Sequence, residues 1–316
     1  MPTFMDFLKN MFGGGDKPTT APLPFPGRDP DATMPLPELP SGAHKTAPIT
    51  SSPVHPEGPT RRLILGVAQD VGRVRNHNED VLLIFTGELA GLEAMPHLGL
   101  FIVADGMGGH SLGERASGIA ARTMARAALE AVLPSLLADP QAEVERPLLT
   151  EVMEHAMKAA NQAVSGNVPD GGTTLTCALL IGEQLVLGHV GDSRAYLITL
   201  DGFEQLTRDH SLVQRLVELG QLSPAEAAVH NQKNVLYRAV GQGEGLEIDV
   251  DTRRLAPGAS LLICSDGLWG YVPDEQILSI IREAPSLQTA CDRLIDAANA
   301  AGGPDNITAV MVRLPQ

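Results

Sequence analysis

The sequence predicts an α+β fold in which two β-sheets pack face to face and helices cover their outer sides. Several strand candidates, such as residues 99–104, are apolar at every position, which is typical of strands buried on both faces. Two long helical patterns also follow one another before a run of strands, whereas βαβ units would alternate them. Two stacked sheets between helical layers would satisfy both observations.

Nine stretches are predicted as strands, and they are residues 63–68, 81–86, 99–104, 174–181, 184–190, 194–199, 247–252, 260–264 and 307–313. The first helix opens with a capping-box pattern at 111–114, and Pro134 is expected to limit it. The other predicted helices are residues 145–164, 274–283 and 286–300. The glycine-containing stretch 207–245 is interpreted as a helical excursion or flap.

The first 60 residues differ from the rest of the chain. They hold more than half of the 24 prolines, and such a composition buries too little apolar surface to offset the entropy of ordering. We therefore predict a disordered tail over 1–60 and one folded domain over 61–316. Near the start, Phe4, Phe7, Leu8 and Met11 share a helical face, which fits either a docking helix or a frayed terminus.

Composition and charge exclude several classes of function. A formal net charge of −15 argues against a nucleic-acid partner, because phosphate backbones attract basic surfaces. No apolar run reaches the roughly 18 residues of a transmembrane helix, and no signal peptide is recognisable. The 3 cysteines form no C-x-x-C pair, which indicates a reducing compartment. We expect a cytoplasmic monomer without a membrane span.

Five short acidic motifs lie beside predicted strands, and they are Asn78-Glu79-Asp80, Asp105-Gly106-Met107-Gly108-Gly109-His110, Gly191-Asp192-Ser193-Arg194, Ser265-Asp266-Gly267 and Pro304-Asp305-Asn306. Some follow a strand and others precede one, so an antiparallel sheet could gather them at one edge. Carboxylates crowded together repel one another, and a hard divalent cation with oxygen ligands removes that conflict. The motifs therefore predict a multi-metal site.

Such a site would support direct attack of water on phosphorus. Two hard cations about 3.5–4 Å apart share a bridging carboxylate and produce a hydroxide nucleophile near neutral pH. A G-x-S-x-G elbow and a C-x5-R loop, which would supply a protein nucleophile, are both missing from the sequence. Arg75 precedes Asp80 by five residues and is either a bidentate phosphate clamp or an ordinary surface arginine. The Gly106 carbonyl could coordinate a metal beside the Asp105 carboxylate.

The motifs resemble those of PPM-type protein phosphatases, in particular the bacterial, PP2C-like branch. The resemblance covers about residues 62–313 and includes Arg75-x-x-Asn78-Glu79-Asp80, the Asp105 motif followed by Gly113-Glu114-x-Ala116-Ser117, Gly172-Thr173-Thr174, Gly191-Asp192-Ser193-Arg194, Ser265-Asp266-Gly267-Leu268-Trp269 and Asp305-Asn306. It implies a four-layer αββα sandwich, with two antiparallel sheets flanked by helix pairs. It also implies a centre of two Mn²⁺ or Mg²⁺ ions, with a possible third.

The resemblance assigns a role to each acidic residue. It implies that Asp105 bridges the two metals, that the Gly106 carbonyl is a ligand, and that Asp266 and Asp305 are further ligands. The remaining implied partners are Glu79 and Asp80 at the site, and Asp192 at a third metal position shared with Asp266. Together with Arg75 as the phosphate clamp, Asp80 and Asp105 are the expected catalytic residues.

One position departs from the pattern of many eukaryotic members, which carry a proposed general-acid histidine directly after the Asp-Gly pair. Met107 stands there and cannot donate a proton. His110 is nearby, either as a structural hydrogen-bonding residue or as the donor, and protonation by metal-bound water is the simpler hypothesis.

The resemblance implies a phosphoserine and phosphothreonine phosphatase that opposes a eukaryotic-like Ser/Thr kinase and acts on phosphorylated proteins. Two alternatives are a catalytically inactive PPM-like binding module and a SpoIIE-like phosphatase of an anti-sigma-factor antagonist. The intact set of ligand positions argues against the first, and the Gly191–Arg194 motif with the flap argues against the second.

Overall fold

The structure, a computed structural model, describes residues 62–88, 96–108, 111–138, 146–243 and 245–315. The predicted tail over 1–60, the apolar face near Phe4 and the side chain of His110 lie outside these ranges. Of the helices that the structure describes, none combines the length and the apolar character that a membrane crossing requires.

Within the described ranges, eleven strands form two antiparallel sheets. The strands are β1 (Ile64–Asp70), β2 (Asp80–Gly87), β3 (Leu98–Met107), β4 (Gly172–Thr173), β5 (Leu175–Ile181), β6 (Gln184–Val190), β7 (Arg194–Ile198), β8 (Phe203–Gln205), β9 (Asp249–Arg254), β10 (Ser260–Cys264) and β11 (Ile307–Arg313). One sheet has the order β1-β11-β10-β7-β8, and the other has the order β2-β3-β5-β6-β9 with β4 paired to β3. The chain therefore returns several times to each sheet, and its first and last strands are neighbours.

Seven helices are described, and they are α1 (Ser111–Leu136), α2 (Leu149–Asn167), α3 (Leu212–Glu218), α4 (Pro224–Ala228), α5 (Asp266–Trp269), α6 (Asp274–Glu283) and α7 (Leu287–Ala300). The long helices α1 and α2 cover the outer side of the β3 sheet, and α6 and α7 cover the outer side of the β10 sheet. A third apolar cluster joins the inner faces of the two sheets. The predicted αββα sandwich is confirmed.

Strand β3 shows why the strands are apolar at every position. Leu100 and Ile102 pack toward the helices, and Phe101 and Val103 pack toward the opposite sheet. Successive side chains of a strand point to opposite faces, so a strand in the middle of four layers is buried on both. All four of these side chains are fully buried.

Prolines explain two of the helix boundaries that differ from the prediction. Helix α1 continues through Pro134 to Leu136, because a proline in the last turn removes only one backbone donor, and the Leu137 N–H still donates to Leu133. Helix α2 begins at Leu149 rather than at Glu145. Pro147 disfavours the helical conformation of the residue before it, so the helix starts after the proline.

The flap segment 207–245 contains two short helices, α3 and α4, each with a serine cap. Ser211 accepts a hydrogen bond from the Gln214 N–H, and Ser223 forms a reciprocal capping box with Glu226. The predicted helical excursion is therefore present. It lies between β8 and β9, next to the segment that carries Asp266.

Candidate active site

Strands β2 and β3 bring two of the predicted carboxylates together. Asp80, the first residue of β2, stands directly opposite Asp105 in the register of the two strands. The sequence predicted that the strand before Asp105 would end at Ala104. In the structure this strand, β3, continues through Asp105 to Met107 and pairs there with β4. Residues directly opposite each other have Cβ atoms roughly 4.5–5.5 Å apart, so the two acids are cross-strand neighbours.

The backbone of Asp105 is held by the threonines that follow Gly172. The Asp105 N–H donates to Thr174 Oγ1 at 2.9 Å, and the Asp105 carbonyl accepts from the Thr174 N–H at 2.9 Å and from Thr173 Oγ1 at 2.8 Å. Thr174 Oγ1 also lies 2.8 Å from Ser193 Oγ, beside Asp192. Sequence reasoning noted the Gly172-Thr173-Thr174 motif without a role, and the structure supplies one.

Asp80 is buried, and only one of its two carboxylate oxygens accepts hydrogen bonds from the described residues. Its Oδ2 accepts hydrogen bonds from Ser265 Oγ at 2.7 Å and from Thr308 Oγ1 at 2.6 Å. Its Oδ1 is buried and has no hydrogen-bond partner among the described residues. A buried oxygen without a partner is costly, and such an atom in a native protein calls for an unrecorded water or ion.

Asp266 opens the short helix α5, which follows strand β10. Its Oδ1 is a second buried oxygen for which the described residues provide no partner, and the charge of Asp266 contributes to raising the pKa of Asp105. Asp80, Asp105 and Asp266 thus come from three different strand ends. The prediction that the acidic motifs meet at one edge holds for these three.

The acids perturb one another electrostatically. Burial, together with the charge of Asp266, raises the pKa of Asp80 to about 7. Burial and the charge of Asp305 raise the pKa of Asp266 to about 6. The pKa values of Asp105 and Asp192 are raised well above the usual range by burial and then by neighbouring aspartates. Perturbed carboxyl pKa values of this kind cluster at functional sites.

The arrangement fits hard divalent cations with an incomplete protein shell. Among the residues that the structure describes, no group of three or more His, Cys, Asp or Glu side chains is placed to hold a metal ion by itself. Mg²⁺ does not need one, because it is commonly held by one or two carboxylates and keeps several waters. Two unpartnered carboxylate oxygens, on Asp80 and Asp266, face the same acidic cluster. The chemistry of the donor set therefore suits Mg²⁺ or Mn²⁺.

Asp192 occupies the tight turn between β6 and β7. Gly191 adopts a positive φ of 111°, and a Cβ there would lie 2.6 Å from the Thr174 side chain, so the turn requires glycine. The Asp192 carbonyl accepts a hydrogen bond from Trp269 Nε1 at 3.0 Å. This bond ties the turn to helix α5 and places Asp192 within electrostatic reach of Asp266.

Arg194 supports this region instead of facing the acidic cluster. Its guanidinium binds Asp209 through Nε and Nη2, the shortest distance being 2.7 Å. It also lies 3.5 Å from the ring centroid of Trp269. Its charge is therefore compensated by a carboxylate and by an aromatic face.

Asn306 fixes the loop that carries Glu79. Its Oδ1 accepts from the Glu79 N–H at 2.8 Å, and its Nδ2 donates to the carbonyls of Val71 and His77, both at 2.9 Å. The Glu79 carboxylate contacts His77 at 3.1 Å and Arg75 at 3.9 Å, rather than the aspartate cluster. Its predicted role as a metal partner stays a prediction.

Arg75 lies at the edge of the acidic cluster. Its Nη2 donates to Asp305 Oδ2 at 2.9 Å, while its side chain keeps 42% of its surface exposed. The structure therefore places both predicted residues, Arg75 and Asp305, beside one another. A half-exposed guanidinium next to a cation site is available to an anion that enters from solvent.

Gly106 is where helix α1 meets the acidic strand ends. A Cβ at Gly106 would lie 2.3 Å from the Gly113 carbonyl oxygen and 2.8 Å from the Glu79 carbonyl oxygen. The Gly106 N–H donates to the same Glu79 carbonyl, which also accepts from Ser117 Oγ at 2.7 Å. This close approach explains the Gly113-Glu114-x-Ala116-Ser117 motif, which lies on helix α1 where the helix contacts the backbone of Gly106 and Glu79.

We expect Gly106→Ala to lower the free energy of unfolding by about 1–3 kcal/mol or more, because backbone atoms must move to admit the methyl group. Urea denaturation would measure this. The matched control is Gly166→Ala, since Gly166 lies in helix α2 with no atom within 4 Å of the new Cβ. That control should be neutral or stabilising by up to about 1 kcal/mol, and a similar loss for both variants would contradict the contact.

Sequence reasoning missed two buried histidines behind the Gly191 turn. The ring of His210 accepts the Gly191 N–H on Nδ1 at 3.1 Å and lies 3.1 Å from Asp249 through Nε2. His189 donates Nε2–H to the Arg208 carbonyl, and burial lowers its pKa to about 3. Their one sequence signal is His189 itself, a polar residue inside a strand that is otherwise apolar.

Comparison with known proteins places this arrangement in a family. The sequence model of protein phosphatase 2C matches residues 91–300. The serine/threonine phosphatase stp of Listeria welshimeri is 38% identical over 244 residues, which cover 77% of this chain and 92% of that relative. The crystal structure of the Mycobacterium tuberculosis serine/threonine phosphatase PstP/Ppp matches with a TM-score of 0.66 and 35% identity, and the match covers 80% of this chain and 99% of that one.

A further similar structure is the catalytic domain of the serine/threonine protein phosphatase PstP in complex with 2 manganese ions. It matches with a TM-score of 0.64 and 35% identity, covering 81% of this chain and all of the other (100%). The family model and these relatives each cover well over half of the chain, and they agree with the fold and with the order of the motifs. The chain therefore belongs to the protein phosphatase 2C family.

Proposed function

We propose that the protein is a metal-dependent phosphatase that hydrolyses phosphoserine and phosphothreonine in proteins at a centre of two Mn²⁺ or Mg²⁺ ions. The observation that carries the proposal is the pair of buried, unpartnered carboxylate oxygens on Asp80 and Asp266, set against Asp105. Two cations would neutralise this cluster. The names of the relatives, and the 2 manganese ions of one of them, support the same activity.

The proposed metal-holding groups are Asp105, the Gly106 carbonyl, Asp266 and Asp305, with Asp192 at a third position. Asp80, fixed by Ser265 and Thr308, would orient the centre or bind it directly. Bound cations of this type lower the pKa of water and polarise phosphoryl oxygens. The protein contributes a rigid arrangement, since Thr173 and Thr174 hold the backbone of Asp105 in place.

Arg75 would bind the phosphate of the substrate. Its guanidinium now pairs with one oxygen of Asp305, and a phosphate that arrives beside it can form two parallel hydrogen bonds. An Asp305 that binds a cation would release Arg75 for this role. Met107, which ends β3, offers no proton, so the proton for the leaving serine or threonine would come from water near the centre.

We further propose that the substrates are phosphorylated proteins, that a eukaryotic-like Ser/Thr kinase supplies them, and that both act in the cytoplasm. This part of the proposal is supported by the family resemblance. The acidic cluster, with the half-exposed Arg75 at its edge and the flap segment beside it, suits a phosphorylated side chain on an exposed peptide.

The test is release of phosphate from p-nitrophenyl phosphate and from a phosphothreonine peptide as Mn²⁺ is added to cation-free protein. We expect hydrolysis to require Mn²⁺ or Mg²⁺ and to stop with EDTA, because the acidic cluster cannot attract a phosphate without cations. Calorimetry measures Mn²⁺ binding in parallel. Binding of Mn²⁺ without any hydrolysis would support an inactive binding module instead.

A further inference from the structure

The turn that carries Asp192 is held at both ends by two consecutive residues of one segment. Asp209 pairs with Arg194, the first residue of β7, through Nε at 3.0 Å and Nη2 at 2.7 Å. The next residue, His210, binds the turn at Gly191, directly before Asp192. Asp192 therefore lies between two anchors that the same short segment provides.

His210 binds both polar groups of the Gly191 backbone. Its N–H donates to the Gly191 carbonyl at 2.7 Å, and its Nδ1 accepts the Gly191 N–H at 3.1 Å. The histidine is 1% exposed, so little water competes for either bond. The backbone and the ring of His210 thus fix the two peptide units on either side of Gly191.

The contacts of the His210 ring determine which nitrogen carries the proton. A nitrogen that accepts the Gly191 N–H has no proton of its own, so the proton of the neutral ring lies on Nε2. This nitrogen donates to Asp249 Oδ2 at 3.1 Å. Arg238 Nη1, which lies 3.1 Å from the same ring nitrogen, donates to the other oxygen of Asp249 at 2.9 Å. Asp249 therefore favours the tautomer that can hold Gly191.

The bond to the His210 ring bears on Asp192 because the turn is tightly constrained. Gly191 has a positive φ of 111°, and a Cβ there would lie 2.6 Å from the Thr174 side chain. Loss of the bond would leave a buried N–H without a partner, and the turn would shift to regain one. Such a shift moves the Asp192 carboxylate, which is buried and within electrostatic reach of Asp266.

We propose that His210 is a positioning residue for the cation that binds at Asp192. The inference rests on the proposed function, in which Asp192 holds a third cation, and it names the group that controls this position. His210 acts through the Gly191 backbone rather than by contact with the cation or the phosphate. Loss of a residue that orients a metal ligand commonly lowers metal affinity by about 10–100-fold.

Two substitutions of His210 separate this role from packing. In His210→Asn the amide oxygen can take the place of Nδ1 and accept the Gly191 N–H, whereas in His210→Gln the amide lies one bond further out, toward Asp249. Both variants lose the ring, so an effect of packing alone would be similar in the two. Calorimetry should show that His210→Gln weakens the Mn²⁺ binding step that depends on Asp192 by about 10–100-fold, and that His210→Asn stays within about threefold of the wild type.

Asp192→Asn identifies that binding step, and the matched control is His155→Gln, the same substitution at an exposed histidine of helix α2. The control should leave every Mn²⁺ step unchanged. Similar weakening in His210→Asn and His210→Gln, or none in either, would overturn the positioning role. Nitrogen NMR of the wild-type histidine rings needs no variant: it should show Nε2 of His210 protonated and Nδ1 coupled to the Gly191 N–H. A proton on Nδ1 would overturn the proposal even if a variant failed to fold.

Hydrolysis of p-nitrophenyl phosphate in the same preparations distinguishes this proposal from the proposed function. If the wild type binds Mn²⁺ but releases no phosphate, the proposed function fails, and the calorimetric comparison still decides the role of His210. If the wild type is active and Asp192→Asn loses no Mn²⁺ step, the activity at two cations stands and the positioning role is overturned.

Discussion

Asp105→Asn is expected to lower kcat/KM for phosphopeptide hydrolysis by more than about 100-fold. Residues that merely orient a metal ligand cost roughly 10–100-fold in metal affinity or activity when they are mutated, and Asp105 is placed as a ligand itself. It stands opposite Asp80 and lies within electrostatic reach of the other aspartates of the cluster. The amide keeps the shape of the side chain but removes the charge that holds cations.

Steady-state kinetics and Mn²⁺ calorimetry would measure this effect, and circular dichroism would confirm the fold of the variant. The matched control is Asp201→Asn, the same substitution at an exposed residue of the turn between β7 and β8. It should change kcat/KM by less than about twofold. Activity of Asp105→Asn within threefold of the wild type, at saturating Mn²⁺, would remove Asp105 from the proposed centre.

The layers of the fold were predictable because burial on two faces leaves a mark in the sequence. Strand β3 is apolar at consecutive positions, and only a strand covered on both sides requires that. The prolines gave weaker information, since Pro134 is tolerated inside α1 while Pro147 stands before the start of α2. Local patterns thus indicated which elements exist more reliably than where they end.

The meeting of the carboxylates was also predictable, because each lies at a strand end and antiparallel strands share their edges. The hydroxyl groups that support them were not assigned. Thr308 donates to Asp80 across more than two hundred residues of sequence, and Ser265 does so from the position directly after β10. A threonine inside the apolar run of β11 was the available signal, since a buried polar group needs a partner.

The role of Arg194 could not be read from its motif. An arginine beside an acidic residue fits a phosphate ligand as well as a structural ion pair. The choice depends on Asp209 and Trp269, which are distant in sequence and come together only in the fold. The same holds for His210, whose partners Gly191 and Asp249 lie on two other elements.

In cation-free protein, Asp80→Asn is expected to raise the free energy of unfolding at pH 8, although it removes a proposed catalytic residue. Burial raises the pKa of Asp80 to about 7, and the unfolded value is near 3.8. The folded state therefore binds the extra proton, and the stabilisation is complete below pH 4 and is lost as the pH rises through 7. Asparagine resembles the protonated acid at every pH. We expect a gain on the order of a few kcal/mol at pH 8.

Comparing the wild type with Asp80→Asn separates the effect of Asp80 on the free energy of unfolding from the effect of the buried histidines. The pKa of His189 is lowered to about 3, so its contribution has the opposite sign and falls as the pH drops below 6.5. That contribution is common to wild type and variant and cancels in their difference. Urea denaturation in EDTA should therefore show that Asp80→Asn has a higher free energy of unfolding than the wild type at pH 8. This difference should decrease steadily toward pH 4.5.

Addition of Mn²⁺ at pH 8 should make the wild type more stable than Asp80→Asn, because bound cations stabilise the folded wild type and the variant binds them less well. Such a reversal would separate the charge of Asp80 from its packing. If the difference in free energy of unfolding between variant and wild type stayed constant from pH 8 to pH 4.5, the amide would merely pack better against Ser265 and Thr308. The crowded acids would then be explained without cations, and the central argument for a metal site would fail.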